Sequence, residues 1–180
     1  MNLMKTIIEM ICNDHCKKEN EYLVERVRIL SHLLSESIQA VDIRAKRIQK
    51  VNPVKIIDNI DDIVIADYPY LAFDYDSWRN NLTKIYNELK NQLHYTPSIF
   101  DCDDFALIFA STVAYSAYKS GWDIQPAFCI IWSANHAFCG FICDNGEVFI
   151  YEPQSDTIIS KIDETYGGKM YKARKVWFMS

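Results

Sequence analysis

The sequence is poor in glycine and proline, with five of each in 180 residues, and it has no Gly/Ser-rich or charge-block stretch that would mark a linker. It also contains no internal repeat. Hydrophobic residues make up 49% of the chain, enough to bury a sizeable core. We therefore predict a single domain over residues 1–180, made of an N-terminal helical extension, 1–52, and a core, 53–180.

Basic residues do not exceed acidic ones: 19 Lys and Arg stand against 24 Asp and Glu, for a formal net charge of −5. Nucleic-acid binding normally needs a concentrated basic face, so we expect no nucleic-acid partner. The N-terminal apolar residues are interrupted by Glu9 and followed by Asn13-Asp14, which is too short and too charged for a signal peptide or a membrane span. We expect no membrane partner and a cytoplasmic location.

No pattern indicates a metal or cofactor. In the cytoplasm the six cysteines should be reduced thiols. Asp101, Asp103 and Asp104 lack the length and spacing of a calcium loop, and the Cys139/Cys143 spacing does not suit zinc. Because a glycine-rich phosphate loop is also missing, we expect no cofactor and no metal ion.

Apolar residues recur at steps of three or four from Glu21 to Ile48, which predicts a long amphipathic helix ended by Asn52-Pro53. Packing of this helix on the core is one interpretation, and a homodimer formed through it is the alternative. A second helix is predicted from an N-cap at Asp76 down to Leu93.

A third helix begins beside a cysteine. Asp101 has the character of an N-cap and Asp104 of its capping-box partner, so Cys102 takes the first helical position. The following residues are apolar nearly all round, which predicts a central helix, and Gly121 ends it.

The second half of the chain changes to a period of two. Strands are predicted at 127–132, 136–143 and 147–152, with residues 173–178 as a fourth. Helices followed by a meander indicate an α+β protein, with its helices on one side of an antiparallel sheet.

Three residues in this arrangement could act together. Cys102 lies at a helix N-terminus, which favours an anion. His136 begins a strand and Glu152 ends the next one. A thiol, a base and a group that orients the base form the set that a cysteine nucleophile needs.

The hairpin between the two strands decides whether His136 and Glu152 can meet. A two-residue Asn145-Gly146 turn would place Glu152 on the sheet face away from His136. A three-residue loop, 144–146, with Gly146 in the left-handed conformation pairs Phe138 with Glu152 and brings Glu152 diagonally beside His136. We predict the three-residue loop.

Three short motifs carry a resemblance to a known family: Asp-Cys-Asp-Asp-Phe-Ala at 101–106, Asn-His-Ala-Phe at 135–138 and Tyr-Glu-Pro-Gln at 151–154. They resemble the transglutaminase-like cysteine hydrolases, particularly the bacterial transglutaminase-like cysteine proteinases, within the papain-like superfamily. Similar cores occur in phage and prophage proteins. The resemblance spans residues 99–154 and leaves the N-terminal helices unmatched.

The resemblance implies a papain-like core preceded by the long N-terminal helix. It also implies a cysteine hydrolase or acyl transferase acting on an amide of a protein or peptide, with Cys102 as nucleophile, His136 as base and Glu152 as orienting group. Gln92 and Tyr95 are candidate oxyanion donors, and Asp101 and Gln154 are supporting residues.

The acidic neighbours of Cys102 argue against a reactive thiol, because the charges of Asp101, Asp103 and Asp104 would raise its pKa. The alternative is therefore a catalytically inactive papain-like binding or effector module, which could be phage-encoded and which holds a protein or small-molecule partner.

Overall fold

The structure is a computed structural model that describes residues 38–55, 57, 60, 62–66, 68–96, 100–162 and 171–178. By its internal contacts the chain divides into two units, Met1–Ile38 and Gln39–Ser180. The second unit contains the elements described below. The predicted organisation, one domain with an extension over residues 1–52, stays a prediction.

The described residues form eight strands, two α-helices and a short 3-10 helix. The helices are α1, Tyr75–Leu89, and α2, Cys102–Lys119, and the 3-10 turn is Pro53–Lys55. The strands are β1 (Ile48–Val51), β2 (Asp62–Ile65), β3 (Tyr70–Phe73), β4 (Phe128–Trp132), β5 (Ala137–Ile142), β6 (Val148–Glu152), β7 (Thr157–Lys161) and β8 (Lys175–Phe178).

Six of the strands form one sheet in the order β2-β8-β4-β5-β6-β7. Its pairs are antiparallel except β2 with β8, which run parallel. β1 and β3 form a separate antiparallel pair. The predicted strands at 127–132, 136–143, 147–152 and 173–178 correspond to β4, β5, β6 and β8, whereas β1 and β7 lie where no strand was predicted.

Helix α2 covers one face of the sheet. Most of its apolar residues are buried, and Phe109 stacks on Phe128 of β4 at 6.0 Å between ring centroids. Helix α1 joins the same layer through Trp78, whose Nε1 donates to Ile142 O at 2.9 Å. The opposite face packs against β1, β3 and the chain around Ile57.

The start of α2 agrees with the sequence analysis, whereas both ends of α1 differ from it. Asp101 is the N-cap of α2, and Asp104 Oδ2 accepts the Asp101 N–H at 3.1 Å as predicted. The predicted N-cap of α1 was wrong by two residues, because Asp74 accepts the Ser77 N–H at 3.0 Å and Asp76 lies in the first turn. Helix α1 ends at Leu89, before the predicted Leu93.

The predicted hairpin register between β5 and β6 is confirmed. Ile142 pairs with Val148 and Cys139 with Tyr151, so the ladder brings Phe138 opposite Glu152. Gly146 has φ +85 and its N–H donates to Cys143 O at 2.9 Å. Gly146, in the left-handed conformation, is the third residue of the loop. The length of this loop fixes the strand register and therefore the face of the sheet on which Glu152 lies.

The long helix predicted over Glu21–Ile48 is wrong in its described part, and residues 21–37 lie outside the described residues. From Gln39 to Arg47 the chain is not helical, and Ile48 begins a strand. The N–H groups of Val41 and Ile43 donate to the hydroxyls of Ser116 and Ser120 at 3.1 and 2.8 Å. Side chains of α2 thus take the bonds that a helix would make within itself.

Among the helices of the described chain, neither is long and apolar enough to cross a membrane.

Candidate functional site

Cys102 lies at the first position of α2 and is half-buried. The cap places its side chain toward the start of β5, where the Ala137 N–H donates to Cys102 Sγ at 3.4 Å. Ala137 follows His136 directly, so this hydrogen bond ties the thiol to the end of the sheet that carries the histidine. Cys102 and Ala137, which are 35 residues apart in the sequence, are in contact here.

His136 and Glu152 form a close pair, with His136 Nε2 2.7 Å from Glu152 Oε2. Both side chains are buried, at 8% and 9% exposure. Because a carboxylate can only accept, His136 Nε2 carries the hydrogen in this pair, which leaves Nδ1 as the acceptor of a neutral ring. The confirmed register brings this contact about.

The sequence analysis missed Tyr171. Its hydroxyl donates to Glu152 Oε2 at 3.2 Å, the same oxygen that His136 contacts. Its ring meets the His136 ring edge-on, with centroids 5.6 Å apart. Tyr171 lies in an irregular stretch before β8, and no periodic or motif signal marks it in the sequence.

The turn after β6 supports Glu152 from the other side. The Gln154 N–H donates to Glu152 Oε1 at 3.2 Å, so this supporting residue acts through its backbone. Asp156, at φ 52, anchors the same turn, since its carboxylate accepts from Arg79 Nη1 at 3.0 Å, Thr83 Oγ1 at 3.0 Å and Tyr151 OH at 2.9 Å.

The two residues predicted as oxyanion donors lie elsewhere. The Gln92 amide donates to Glu88 O at 3.0 Å and so completes the end of α1. Tyr95 is 54% exposed and lines a groove. Neither side chain has a hydrogen bond to Cys102 among the described contacts.

The environment of Cys102 disfavours a thiolate. Burial raises the pKa of this thiol, and the carboxylates of Asp101 and Asp103 raise it further. The Ala137 N–H acts in the opposite direction but does not overcome these effects. The thiol is therefore protonated near neutral pH, as the acidic neighbours led us to expect. Burial also raises the pKa of Cys129, Cys139 and Cys143, which are core thiols.

The ligand atoms of Asp101, Cys102 and Asp103 lie within 4.8 Å of one another, so this group of described residues could approach a metal ion together. Asp101 is already the helix cap, and three adjacent residues at one helix start offer few ligands. We assign no metal to them.

Solved structures share this fold, among them a lectin. The PSL1a–E64 complex has a TM-score of 0.52 and 19% identity over 86% of this chain and 49% of that chain. Polyporus squamosus lectin bound to the human-type influenza-binding epitope Neu5Aca2-6Galb1-4GlcNAc has a TM-score of 0.52 and 21% identity over 73% of this chain and 49% of that chain. The present chain thus spans about half the length of each. No family model and no curated protein matches the sequence.

These comparisons correct the sequence analysis. The chain is similar in fold to lectins, so the transglutaminase-like, papain-like fold class was wrong. The prediction of a cysteine hydrolase or acyl transferase acting on a protein or peptide amide rested on that resemblance, so it was wrong as well. The raised pKa of the Cys102 thiol is consistent with this correction.

Proposed function

We propose that residues 39–180 form a binding module that takes up a small organic ligand beside Cys102, with His136 and Glu152 as the polar wall of the site. The proposal is carried by one observation: a His–Glu pair at 2.7 Å, with both side chains about nine-tenths buried, is connected through Ala137 to a half-buried thiol.

The cost of such an arrangement supports a functional role. Burying an ionisable group without hydrogen bonds costs several kcal/mol, so a buried pair of this kind needs partners that satisfy it. Here Glu152 receives hydrogen bonds from Tyr171 OH and the Gln154 N–H as well as contacting His136. These contacts fix the imidazole and leave its Nδ1 for a ligand or for the thiol.

The chemistry of the thiol defines the ligand class. Because the thiolate is the nucleophile, a Cys102 that is protonated near neutral pH reacts only after His136 takes its proton, and then with a ligand that brings its own electrophilic carbon. E64 carries an epoxide, and the PSL1a–E64 complex shares this fold. We therefore propose an electrophilic ligand of the E64 type.

The proposed binding step balances. The Cys102 sulfur attacks an epoxide carbon, a C–S bond forms and the C–O bond breaks. The thiol proton passes through His136 to the opened oxygen, so the adduct gains the mass of the whole compound. Within this proposal the protein acts in the cytoplasm, where the thiol stays reduced.

Intact-protein mass spectrometry after incubation with E64 near pH 7 tests the proposal. We expect one adduct on the wild type and on Cys129→Ala, a control that removes a buried thiol, and none on Cys102→Ser. Glu152→Gln should slow adduct formation at least about tenfold, because the ring loses the carboxylate that fixes its tautomer.

A second experiment distinguishes the binding of an electrophilic ligand from the binding of a sugar. Calorimetric titration with Neu5Aca2-6Galb1-4GlcNAc, the glycan bound by the Polyporus squamosus lectin, should give no heat of binding. Glycan binding without an E64 adduct would overturn the proposal in favour of a sugar-binding module.

A further inference from the structure

We propose that the chain has a second binding site, for an anionic ligand with an aromatic or aliphatic body, in a groove next to the Cys102 site. The groove encloses about 360 Å³, within the range of sites for small organic molecules. It is lined by the end of α1, the turn that follows, the first turns of α2 and the β6–β7 turn, and its lining includes Tyr86, Leu89, Lys90, Tyr95, Phe105 and Phe109.

The groove has an apolar base and an aromatic rim. Leu89, Phe105 and Phe109 are 2%, 9% and 1% exposed, so they form a rigid wall that belongs to the core. Tyr95 is 54% exposed, and its ring is available to cover an apolar ligand. Apolar walls with a few polar groups at the edge are typical of small-molecule sites.

The charge at the groove comes from Lys90. The described lining residues include no carboxylate. The Lys90 ammonium donates to the neutral Asn87 Oδ1 at 2.7 Å and lies 6.0 Å from the centre of the Tyr86 ring. On a chain with a net charge of −5, a basic groove favours an anion by charge complementarity.

Nearby carboxylates already have donors. Glu88 Oε1 accepts the Gln39 N–H at 3.1 Å and the Gln92 amide at 3.3 Å. Glu152 Oε1 accepts the Gln154 N–H at 3.2 Å on the other side of the groove. These hydrogen bonds hold both carboxylates in place, and the Lys90 ammonium donates to the neutral Asn87 side chain.

A pair of fluorescent probes tests the anion preference. 8-Anilinonaphthalene-1-sulfonate carries a sulfonate, and N-phenyl-1-naphthylamine has the same aromatic body without it. We expect the sulfonate to bind more tightly to the wild type, and its affinity to fall as ionic strength rises.

Substitutions locate the site. Lys90→Glu should weaken the sulfonate at least about fivefold and leave the neutral probe unchanged, because it removes an ion pair and adds repulsion. Lys55→Glu makes the same charge change at an exposed lysine outside the groove, and it should leave both probes unchanged. Tyr95→Ser should weaken both probes, and because Tyr95 is exposed, the substitution should leave the fold intact.

This site does not depend on the proposed function, so Cys102→Ser should bind both probes like the wild type. Equal affinity for the two probes, an equal effect of Lys55→Glu and Lys90→Glu, or unchanged binding in Tyr95→Ser would each overturn the proposal.

Discussion

Asp74 gives the structure a defined dependence on pH. It is 5% exposed and caps α1, and it also fixes the segment before β1. Its Oδ2 accepts the Ser77 hydroxyl at 2.7 Å and the N–H groups of Lys46 and Arg47 at 3.2 and 3.0 Å. Burial alone would raise the pKa of this carboxyl, but the hydrogen bonds to it lower the pKa from 3.8 to about 2.

The lowered pKa sets the sign and size of the effect. The stabilisation is complete above the unfolded value of 3.8 and is lost as the pH falls through the folded value of about 2. At 1.36 kcal/mol per unit, it amounts to about 2 kcal/mol. Asp74→Asn keeps a capping oxygen but turns the other acceptor into a donor, so it should lose at least about 2 kcal/mol at neutral pH.

Urea unfolding of the wild type and Asp74→Asn between pH 7 and pH 2 measures the effect. The difference in the free energy of unfolding should stay constant down to about pH 5 and shrink by about 2 kcal/mol below it. Asp76→Asn, at an exposed carboxylate of the same helical turn, should change stability by about 0.5 kcal/mol at pH 7. A difference between wild type and Asp74→Asn that does not change with pH would refute this reasoning.

Three further predictions follow from individual contacts. Gly140→Ala should lower the free energy of unfolding in urea by about 1–3 kcal/mol, since a Cβ there would lie 2.6 Å from Ile131 Cδ1 on β4. An unchanged unfolding midpoint would contradict this close contact. Alkylation of Cys102 by iodoacetamide should keep rising through pH 9, and Asp103→Asn should speed it at pH 8 because that charge raises the thiol pKa; a plateau below pH 8 would contradict this. Tyr171→Phe should lower stability by about 1 kcal/mol through the lost bond to Glu152, and an unchanged free energy of unfolding would count against that bond.

Local patterns predicted the parts of the site that depend on nearby residues. The cap of α2 follows from Asp101 and Asp104, which lie three residues apart. The contact between His136 and Glu152 follows from the left-handed Gly146. Side chains alternate between the two faces of a strand, so one extra loop residue moves Glu152 to the other face of the sheet.

Features that depend on distant residues could not be predicted in this way. The segment before β1 has helical periodicity, but Ser116 and Ser120, more than seventy residues away, accept its N–H groups. Tyr171 reaches Glu152 from an irregular stretch that has no pattern of its own. The family resemblance failed because three short motifs describe a local cluster, whereas the fold depends on the order of the whole sheet.

Peptide mapping of the E64-treated protein tests the central claim, that Cys102, His136 and Glu152 form a ligand site, most directly. We predict an adduct confined to the peptide that contains Cys102, lost in Cys102→Ser and slowed in Glu152→Gln. An absent adduct, or one spread over several cysteine peptides at equal rates, would contradict it.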